Sequence, residues 1–425
     1  MKSEMFLASI VFFVTYILLA TDRLHRTLIV LLGASFLMFS GIFHEPAAVF
    51  KEYVDFNTIF LLFGMMVFVG VLKETGIFEY VGIKALMLSK GNLLRLYFYL
   101  TTLTALTSAV LDNVTTVIVI IPITLAVADA TRTDPVPFVL GEIFSSNIGG
   151  TATLVGDPPN IMIGSAAGFS FMDFVVNLGP VVLAIFLVVN SVIALVFRKQ
   201  INKKVPAEKL EHLGIPISNP ASFKIAVFLI GIVVGLFIFQ EFLPVETSFI
   251  AILAASLALL LLNRHKVDES LSKVEWGTII FFFGLFIVVG GLEETGFLEI
   301  LARQIVSLAK GSIQTAELLI LNISGFASAF VDNIPYTATL IPTIESLNKI
   351  DPVAYSNLDP LWWALSLGAC LGGNGTSVGA SANVVGLAIL KQYYGKEISF
   401  IQFLRYGMLV LLISLFLSSL YLLLF

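Results

Sequence analysis

One repeated stretch decides the fold of this chain: Gly70-Val-Leu-Lys-Glu-Thr-Gly-Ile-Phe-Glu79 recurs 220 residues later as Gly290-Gly-Leu-Glu-Glu-Thr-Gly-Phe-Leu-Glu299. Self-similarity at a fixed offset is the sequence signature of a duplicated structural unit. The Gly after Thr in each copy is typical of a helix end, because glycine adopts the left-handed backbone conformation without a steric penalty. The stretch therefore predicts two homologous halves in which a helix ends at the same place.

The same offset relates other short motifs in the two halves. It pairs Lys90-Gly91 with Lys310-Gly311, Asp112-Asn113 with Asp332-Asn333, and Pro122 with Pro342. Beyond a three-residue insertion the offset becomes 223, and it aligns Gly149-Gly150-Thr151-Ala152-Thr153 with Gly372-Gly373-Asn374-Gly375-Thr376, and Asn160 with Asn383. So many matches in register exclude coincidence, and the chain is an internal duplication.

Composition identifies lipid as the main solvent. The 425 residues are 58% hydrophobic and 12% charged, whereas soluble domains usually carry about 25% charged residues.

The single cysteine, Cys370, excludes an intramolecular disulfide framework and a multi-thiolate metal site. A net charge of -5 without a long basic tract argues against nucleic acid as a partner. The first apolar run, Met5 to Ala20, lacks a polar region with small residues for cleavage, so we expect a retained span.

Eight uninterrupted apolar runs are long enough to cross or nearly cross a bilayer. They lie near residues 5–20, 27–43, 57–72, 174–197, 223–240, 247–262, 277–292 and 403–425. Four further apolar stretches, near 95–128, 136–168, 313–346 and 361–390, are interrupted by polar and Gly/Pro clusters. Irregular backbone at membrane depth persists only beside protein or a wet cavity, so we expect the functional residues in these four stretches.

The expected fold class is an all-α polytopic membrane protein with two inverted repeats. If each Asp-Asn stretch is a re-entrant hairpin, each half keeps five spanning helices, one of them broken. An odd number of crossings turns the second half upside down relative to the first. We therefore predict ten crossings, a first repeat at 1–197 (hairpin 95–128, broken helix 136–168), a linker at 198–222, and a second repeat at 223–425 (hairpin 313–346, broken helix 361–390).

The distribution of basic residues predicts the orientation. In this topology 19 of the 24 Lys and Arg residues fall in the loops of one side. Lys and Arg are enriched in cytoplasmic loops, so that side is expected to be cytoplasmic. Both termini then lie outside, the linker lies inside, and the expected location is the plasma membrane.

The two Asp-Asn motifs are the first candidate ion ligands. Asp112-Asn113 and Asp332-Asn333 each have roughly one apolar helical arm on either side, which places a carboxylate near the bilayer midplane. A charge there costs about 2.5 to 3.5 kcal/mol on insertion scales and is by default a functional residue. Capping of the second arm is the structural alternative, and both roles can coexist. At such a break, free carbonyl oxygens can also coordinate Na⁺.

The Gly-Gly interruptions are the second candidate region. Gly149-Gly150 permits unwinding and Pro158-Pro159 cannot continue regular helical bonding, so the helix should be discontinuous. Small-residue packing between helices is the alternative for these glycines. Asp157 is replaced by Ala380 in the second half. The neutral ligands expected at both regions are Asn113, Thr115, Thr116, Asn147, Gly149, Gly150, Thr151, Thr153, Asn160, Asn333, Thr337, Gly373, Asn374, Thr376 and Asn383.

Proton handling should concentrate in the first half. Asp112, Asp157 and Glu142 cluster there, whereas Asp332 is their only representative in the second half. Burial disfavours the charged form of a carboxylate, which makes a protonation cycle feasible near neutral pH. We therefore predict these four as proton-coupling residues, with Na⁺ at Asp112, Asn113, Asp332 and Asn333 as the alternative coupling ion. No cofactor besides this ion is expected.

The four interrupted motifs resemble the ion transporter superfamily, with the greatest likeness to the melanosomal P protein and the arsenite permeases. The resemblance covers nearly the whole chain and implies a homodimer with a scaffold region and a moving transport region. Sodium–dicarboxylate cotransporters of the superfamily carry Ser-Asn-Thr at the tips, where this chain has Asp112-Asn113-Val114 and Asp332-Asn333-Ile334. A carboxylate at each tip would repel a dianion, which argues against citrate-type uptake.

The expected function is secondary active transport of a small inorganic ion across the bilayer, coupled to protons or sodium. A sodium–proton antiporter and a sodium-coupled dicarboxylate or citrate-type carrier are the alternatives. An intramembrane aspartyl protease is a rival from another class, but neither Asp follows the Gly-x-Gly expected of that class. No phosphate-binding Gly-x-x-x-x-Gly-Lys-[Ser/Thr] loop is present, which argues against a primary pump, while an external ATPase partner stays open.

Overall fold

The computed structural model describes residues 2–21, 24–204, 219–243 and 245–424, and nearly all of them are helical. The helices of the first half are α1 (Lys2–Thr21), α2 (Arg26–Phe39), α3 (Val49–Glu52), α4 (Phe56–Lys73), α5 (Ile77–Ser89), α6 (Leu93–Ser108), α7 (Asn113–Thr131), α8 (Val136–Gly150), α9 (Pro158–Ala167), α10 (Phe171–Val196) and α11 (Arg198–Ile201). Most of the predicted linker, residues 205–218, lies outside the described residues.

The second half repeats this order of helices. They are α12 (Pro220–Ile238), α13 (Thr247–Leu262), α14 (Val267–Ser272), α15 (Trp276–Glu294), α16 (Phe297–Ala309), α17 (Ile313–Ser328), α18 (Asn333–Ile350), α19 (Asp359–Gly372), α20 (Ser381–Tyr394) and α21 (Phe400–Leu424), with a 3-10 turn at Gln240–Phe242. The helices α15 to α18 begin 220 residues after α4 to α7, and α19 and α20 begin 223 residues after α8 and α9. The offsets read from the motifs thus hold for helix boundaries.

The all-helical fold class is confirmed, and every predicted apolar run coincides with a helix. The eight uninterrupted runs correspond to α1, α2, α4, α10, α12, α13, α15 and α21. Within the described residues, α4, α10, α12, α15 and α21 are long and apolar enough to cross a membrane by themselves. The four interruptions separate α6 from α7, α8 from α9, α17 from α18 and α19 from α20.

The longest helices that the sequence did not predict are α5 and α16. Each has 13 residues, about 20 Å of helix, which is too short to cross the hydrocarbon. Each follows a glycine with positive φ, Gly76 (φ 76) or Gly296 (φ 76). The prediction that these glycines end the preceding helices is therefore confirmed.

The two halves interlock through their early helices. Helix α13 packs on α4, and α2 packs on α15. A Cβ at Gly64 of α4 would lie 2.5 Å from the Ala251 carbonyl carbon, and one at Gly284 of α15 would lie 3.0 Å from Val30 Cγ2. Small residues at these crossings let the backbones approach closely, which drives helix association in lipid. These four helices form a unit shared by both halves.

The glutamates of the repeated stretch also link the halves. Glu74 Oε1 forms an ion pair with Lys273 Nζ at 2.7 Å and its other oxygen accepts from Asn263 Nδ2 at 2.9 Å. Its counterpart Glu294 binds His44 and Tyr53. Each glutamate thus ties the end of α4 or α15 to a loop of the opposite half.

The hairpins and broken helices form a second packed unit. Helix α6 packs on α8 and α17 on α19, whereas α7 also packs on α20 and α18 on α9. A Cβ at Gly149 would lie 2.3 Å from the Ala105 carbonyl oxygen, and one at Gly372 would lie 2.6 Å from that of Gly325. Each hairpin therefore contacts the broken helices of both halves, which brings the two tips together.

Candidate ion-binding site

Each tip aspartate begins the second arm of its hairpin. Asp112 Oδ1 accepts a hydrogen bond from the Thr115 amide at 2.8 Å, and Asp332 Oδ1 accepts one from the Ile334 amide at 3.1 Å. A carboxylate at an N-cap satisfies amides that have no partner in the helix and interacts favourably with its positive end. The expected capping role is therefore present at both tips.

Hydroxyl groups fasten each hairpin to the broken helix of its own half. Ser108 Oγ donates to the Ser146 carbonyl and Ser328 Oγ to the Ala369 carbonyl, both at 2.6 Å. Two threonines of the broken helices donate to carbonyls just before the tips: Thr153 to Ala109 and Thr376 to Ala329, both at 2.5 Å. The two halves thus use equivalent bonds to hold the irregular backbone that membrane depth would otherwise leave unsatisfied.

Asp157 lies between the two tips. Asn113 Nδ2 donates to Asp157 Oδ1 at 3.3 Å, and Asn333 Nδ2 donates to the same oxygen at 3.2 Å and to Oδ2 at 3.4 Å. Asp157 is fully buried, and both asparagines are 3% exposed. One carboxylate at the start of α9 therefore joins both hairpins.

Asn147 extends this network to the second broken helix. Its Oδ1 accepts from Asn113 Nδ2 at 3.1 Å, and its Nδ2 donates to Asn374 Oδ1 at 3.0 Å and to Asn383 Oδ1 at 2.9 Å. The Asn374 amide nitrogen is buried and has no protein partner among the described residues. Carboxylate and amide oxygens are the donors that hard cations prefer.

Asn160 and Asn383 play equivalent structural roles. Asn160 Nδ2 donates to the carbonyls of Thr151 and Thr153 at 3.1 and 2.9 Å. Asn383 Nδ2 donates to the carbonyls of Gly373 and Thr376 at 2.7 and 2.8 Å. These bonds satisfy the carbonyls that the helix breaks leave free.

A cavity of ≈ 480 Å³ adjoins this network. Asp112, Asn113, Asp157 and Asn333 line one wall. The starts of α2 and α15 supply the facing wall, with Leu24, His25, Arg26, Thr27, Glu275, Gly277, Thr278 and Phe281. The cavity is thus shared by the tips of both halves and by the second segments of both broken helices, α9 and α20.

Some predicted residues do not face this cavity. Glu142 is fully buried and accepts a hydrogen bond from Thr124, away from the tips. The Thr116 and Thr337 hydroxyls are buried without a protein partner among the described residues, and Thr151 Oγ1 donates to the Asn147 carbonyl at 2.8 Å. Gly149 faces Ala105 of α6 at close range, which favours the packing alternative there. Gly150 and Gly373 instead face Gly156 and Ala380 in the irregular segment that follows each helix, where the break needs the close approach.

Comparison with known families identifies the family of this chain. A family model described as "Citrate transporter" matches residues 16–368. The chain belongs to the citrate transporter family. The "46 kDa membrane protein" of Mycobacterium leprae is 41% identical over 424 residues, which cover 98% of this chain and 97% of that protein. An uncharacterized transporter of Mycobacterium tuberculosis is 39% identical over 419 residues, which cover 97% of this chain and 96% of that protein.

The expected resemblance to the P protein is also confirmed. The P protein of Homo sapiens is 31% identical over 504 residues, which cover 99% of this chain and 60% of that protein. The solved YdaH transporter of Alcanivorax borkumensis shares the fold, with a TM-score of 0.62, 14% identity, and coverage of 92% of this chain and 88% of that one. This citrate transporter family member is therefore a secondary transporter rather than an enzyme.

Sequence reasoning missed two charged residues of the cavity lining, Arg26 and Glu275. Arg26 at the start of α2 lines the large cavity and also a smaller cavity of ≈ 50 Å³ that contains Asp332. It forms an ion pair with Asp332 at 2.7 Å. In the sequence, Arg26 contributed only to the count of loop charges, because its partner lies 306 residues away.

Proposed function

We propose that the chain carries a small ion by alternating access, coupled to protons or sodium, with the site at the two hairpin tips. The observation that supports this most directly is the position of Asp157, whose carboxylate accepts hydrogen bonds from both tip asparagines beside a cavity. A cation or proton that binds Asp157 competes with these amides. Occupancy therefore changes how the two hairpins are held.

In this proposal the ligands divide into charged and neutral groups. Asp112 and Asp157 line the large cavity and bind the coupling cation or exchange its proton, whereas Asp332 lines the smaller cavity beside Arg26. Asn113, Asn333, Asn147 and Asn374 supply amide oxygens. Glu142, buried against Thr124, lies outside the cavity lining and would act only as a separate proton-binding group.

The inverted repeat provides the two states that alternating access requires. Asn57 Nδ2 of α4 donates to Ser165 Oγ of α9 at 3.2 Å, which links the shared unit to the hairpin unit on one side. The equivalent positions on the other side, by the 220- and 223-residue offsets, are Gly277 and Ala388, and their side chains cannot make this bond. The large cavity lies on the side of Gly277. The basic-residue count makes that side cytoplasmic, so the conformation is inward-facing.

The family description supports a second candidate, a citrate-type carboxylate substrate. Arg26 lines the cavity, and its guanidinium group can bind a carboxylate through two parallel hydrogen bonds. Against it stand Asp112, Asp157 and Glu275 in the same lining, which repel a polyanion. The inorganic ion remains the leading proposal, with a homodimer in the plasma membrane as its setting.

Flux in proteoliposomes tests this proposal. The purified chain is reconstituted, and uptake of ²²Na⁺, arsenite, chloride, succinate and citrate is measured under imposed Na⁺ and pH gradients. The proposal expects at least one flux that a Na⁺ or pH gradient drives uphill. A strict sodium–proton antiporter would respond to Na⁺ and pH whichever anion is present. Downhill flux that ignores both gradients for every solute would refute coupled transport.

A further inference from the structure

The two tip carboxylates have different charge environments. Arg26 Nη1 donates to Asp332 Oδ2 at 2.7 Å and to Ser381 Oγ at 2.8 Å, and Ser381 Oγ donates to the same carboxylate oxygen at 3.1 Å. The Asp332 side chain is 14% exposed. Charge-assisted bonds of this length are among the stronger hydrogen bonds in proteins. The negative charge of Asp332 is therefore already balanced by the Arg26 guanidinium group.

The repeat offers no equivalent partner to Asp112. Helix α2 begins at Arg26 and α13 begins at Thr247, so the residue that corresponds to Arg26 carries no charge. The position that corresponds to Ser381 is Pro158. Among the residues that the structure describes, no cation pairs with Asp112, whose carboxylate accepts from the Thr115 amide. Asp112 lines the large cavity, whereas Asp332 lines the small one beside Arg26.

We propose that Arg26 makes the tips unequal: Asp112 offers the carboxylate that binds the coupling cation, while Asp332 serves as one half of an ion pair that holds the cavity open. The first statement rests on the proposed function, and the second does not. Arg26 is thus a positioning residue that restricts the cation to one tip.

The ion pair connects the two packed units on the open side. Arg26 belongs to α2, which packs on α15, whereas Asp332 and Ser381 begin α18 and α20. A second link supports it, because Tyr16 of α1 donates to the Pro335 carbonyl at 2.5 Å and lies 2.8 Å from Thr339 Oγ1. The corresponding stretch of α12, around Leu236 and Phe237, has no hydroxyl group. Sliding of the hairpin unit along the shared unit therefore has to separate Arg26 from Asp332.

A cysteine-labelling cycle tests the ion pair without knowledge of the substrate. A single cysteine replaces Val114, which lines the cavity, in a Cys370→Ala background, and its reaction with an impermeant thiol reagent is timed from the cavity side. Arg26→Gln and Asp332→Asn should each slow labelling by roughly three- to tenfold, the shift expected for a partly buried ion pair. The Arg26→Gln/Asp332→Asn double variant should be no slower than either single variant.

Matched variants distinguish the ion pair from a general loss of charge or of helix capping. Asn is a good N-cap, so Asp332→Asn keeps the start of α18. Arg26→Lys keeps the charge and should label within about twofold of wild type. Arg26→Gln combined with Asp112→Asn should show the product of the two single effects, because Asp112 is not the partner of Arg26. Two results would overturn the proposal that the ion pair holds the cavity open. One is a double variant of Arg26 and Asp332 in which the two single effects multiply, and the other is unchanged labelling in both single variants.

Flux measurements separate the two parts of the proposal. Asp332→Asn should keep a cation-dependent flux and Asp112→Asn should lose it. If both variants lose the cation dependence equally, the restriction to Asp112 is wrong. If the labelling cycle gives the expected result but Asp112→Asn keeps the cation dependence, the ion pair holds the cavity open as proposed and the proposed cation site at Asp112 is wrong.

Discussion

The contact between α6 and α8 permits a prediction of stability from geometry. A methyl group added at Gly149 would lie 2.3 Å from the Ala105 carbonyl oxygen and 2.5 Å from its Cα. Both are backbone atoms, so no side chain can rotate away. Restoring ordinary van der Waals contact requires the helices to separate by about 1 Å. Overpacking of this kind costs about 1–3 kcal/mol, and the higher helix propensity of Ala offsets at most about 1 kcal/mol.

Thermal unfolding of Gly149→Ala in detergent, followed by the loss of the monodisperse elution peak, measures this cost. We expect a midpoint several degrees below wild type and reduced flux, because the shift occurs next to the tip. Gly372→Ala should behave alike, since its Cβ would lie 2.6 Å from the Gly325 carbonyl. Gly70→Ala and Gly179→Ala, with nothing within 4 Å, are matched controls that should unfold at or above the wild-type midpoint. A Gly149→Ala protein as stable as these controls would refute the reasoning.

Three further predictions concern charge. Asp112→Asn should yield a folded protein whose flux no longer depends on its driving ion; wild-type-like Na⁺ and pH dependence would contradict this. Asp157→Asn removes one of the acceptors for the two tip amides, so the unfolding midpoint should fall and coupling should be lost, whereas unchanged values for both would exclude Asp157 from the site. The hydrogen bond to Glu294 raises the pKa of His44 above its usual 6.5. This contribution to stability is therefore complete below about pH 6.5 and is lost as the pH rises through the raised pKa. The unfolding midpoint of wild type relative to His44→Gln should accordingly fall as the pH is raised above about 6.5, and parallel pH profiles would speak against the link.

The sequence predicted the spans and interruptions because each has a local cause. The hairpins expected at 95–128 and 313–346 correspond to α6–α7 and α17–α18 within five residues at every end. An aspartate that can cap a helix, set between two apolar arms, marks the break, and the repeat confirms the position independently. The break between α8 and α9 has a different local cause, the glycines at 149 and 150 and the prolines at 158 and 159.

Contacts between distant segments could not be predicted in the same way. Arg26 and Asp332 are separated by 306 residues, and nothing in either local pattern indicates that α2 approaches the second hairpin. At Glu74 and Glu294 the sequence likewise indicates only a helix end and not the cross-links to the other half. Conversely, Glu142 is close in sequence to the predicted site, but α8 directs it toward Thr124. Which face of a buried helix meets which neighbour depends on tertiary packing, and a helix that is apolar on all sides does not reveal it.

Protection of the hairpin tips by the transported ion is the most direct test of a central ion site. Single cysteines at Val114 and Ile334, both in the cavity lining, are labelled with an impermeant reagent from each side of the membrane, with and without Na⁺, and at several pH values. A shared site in a narrow wet cavity predicts slow labelling that the coupling ion suppresses at both positions. Labelling at bulk-like rates from the side opposite the cavity, unaffected by any ion, would contradict it.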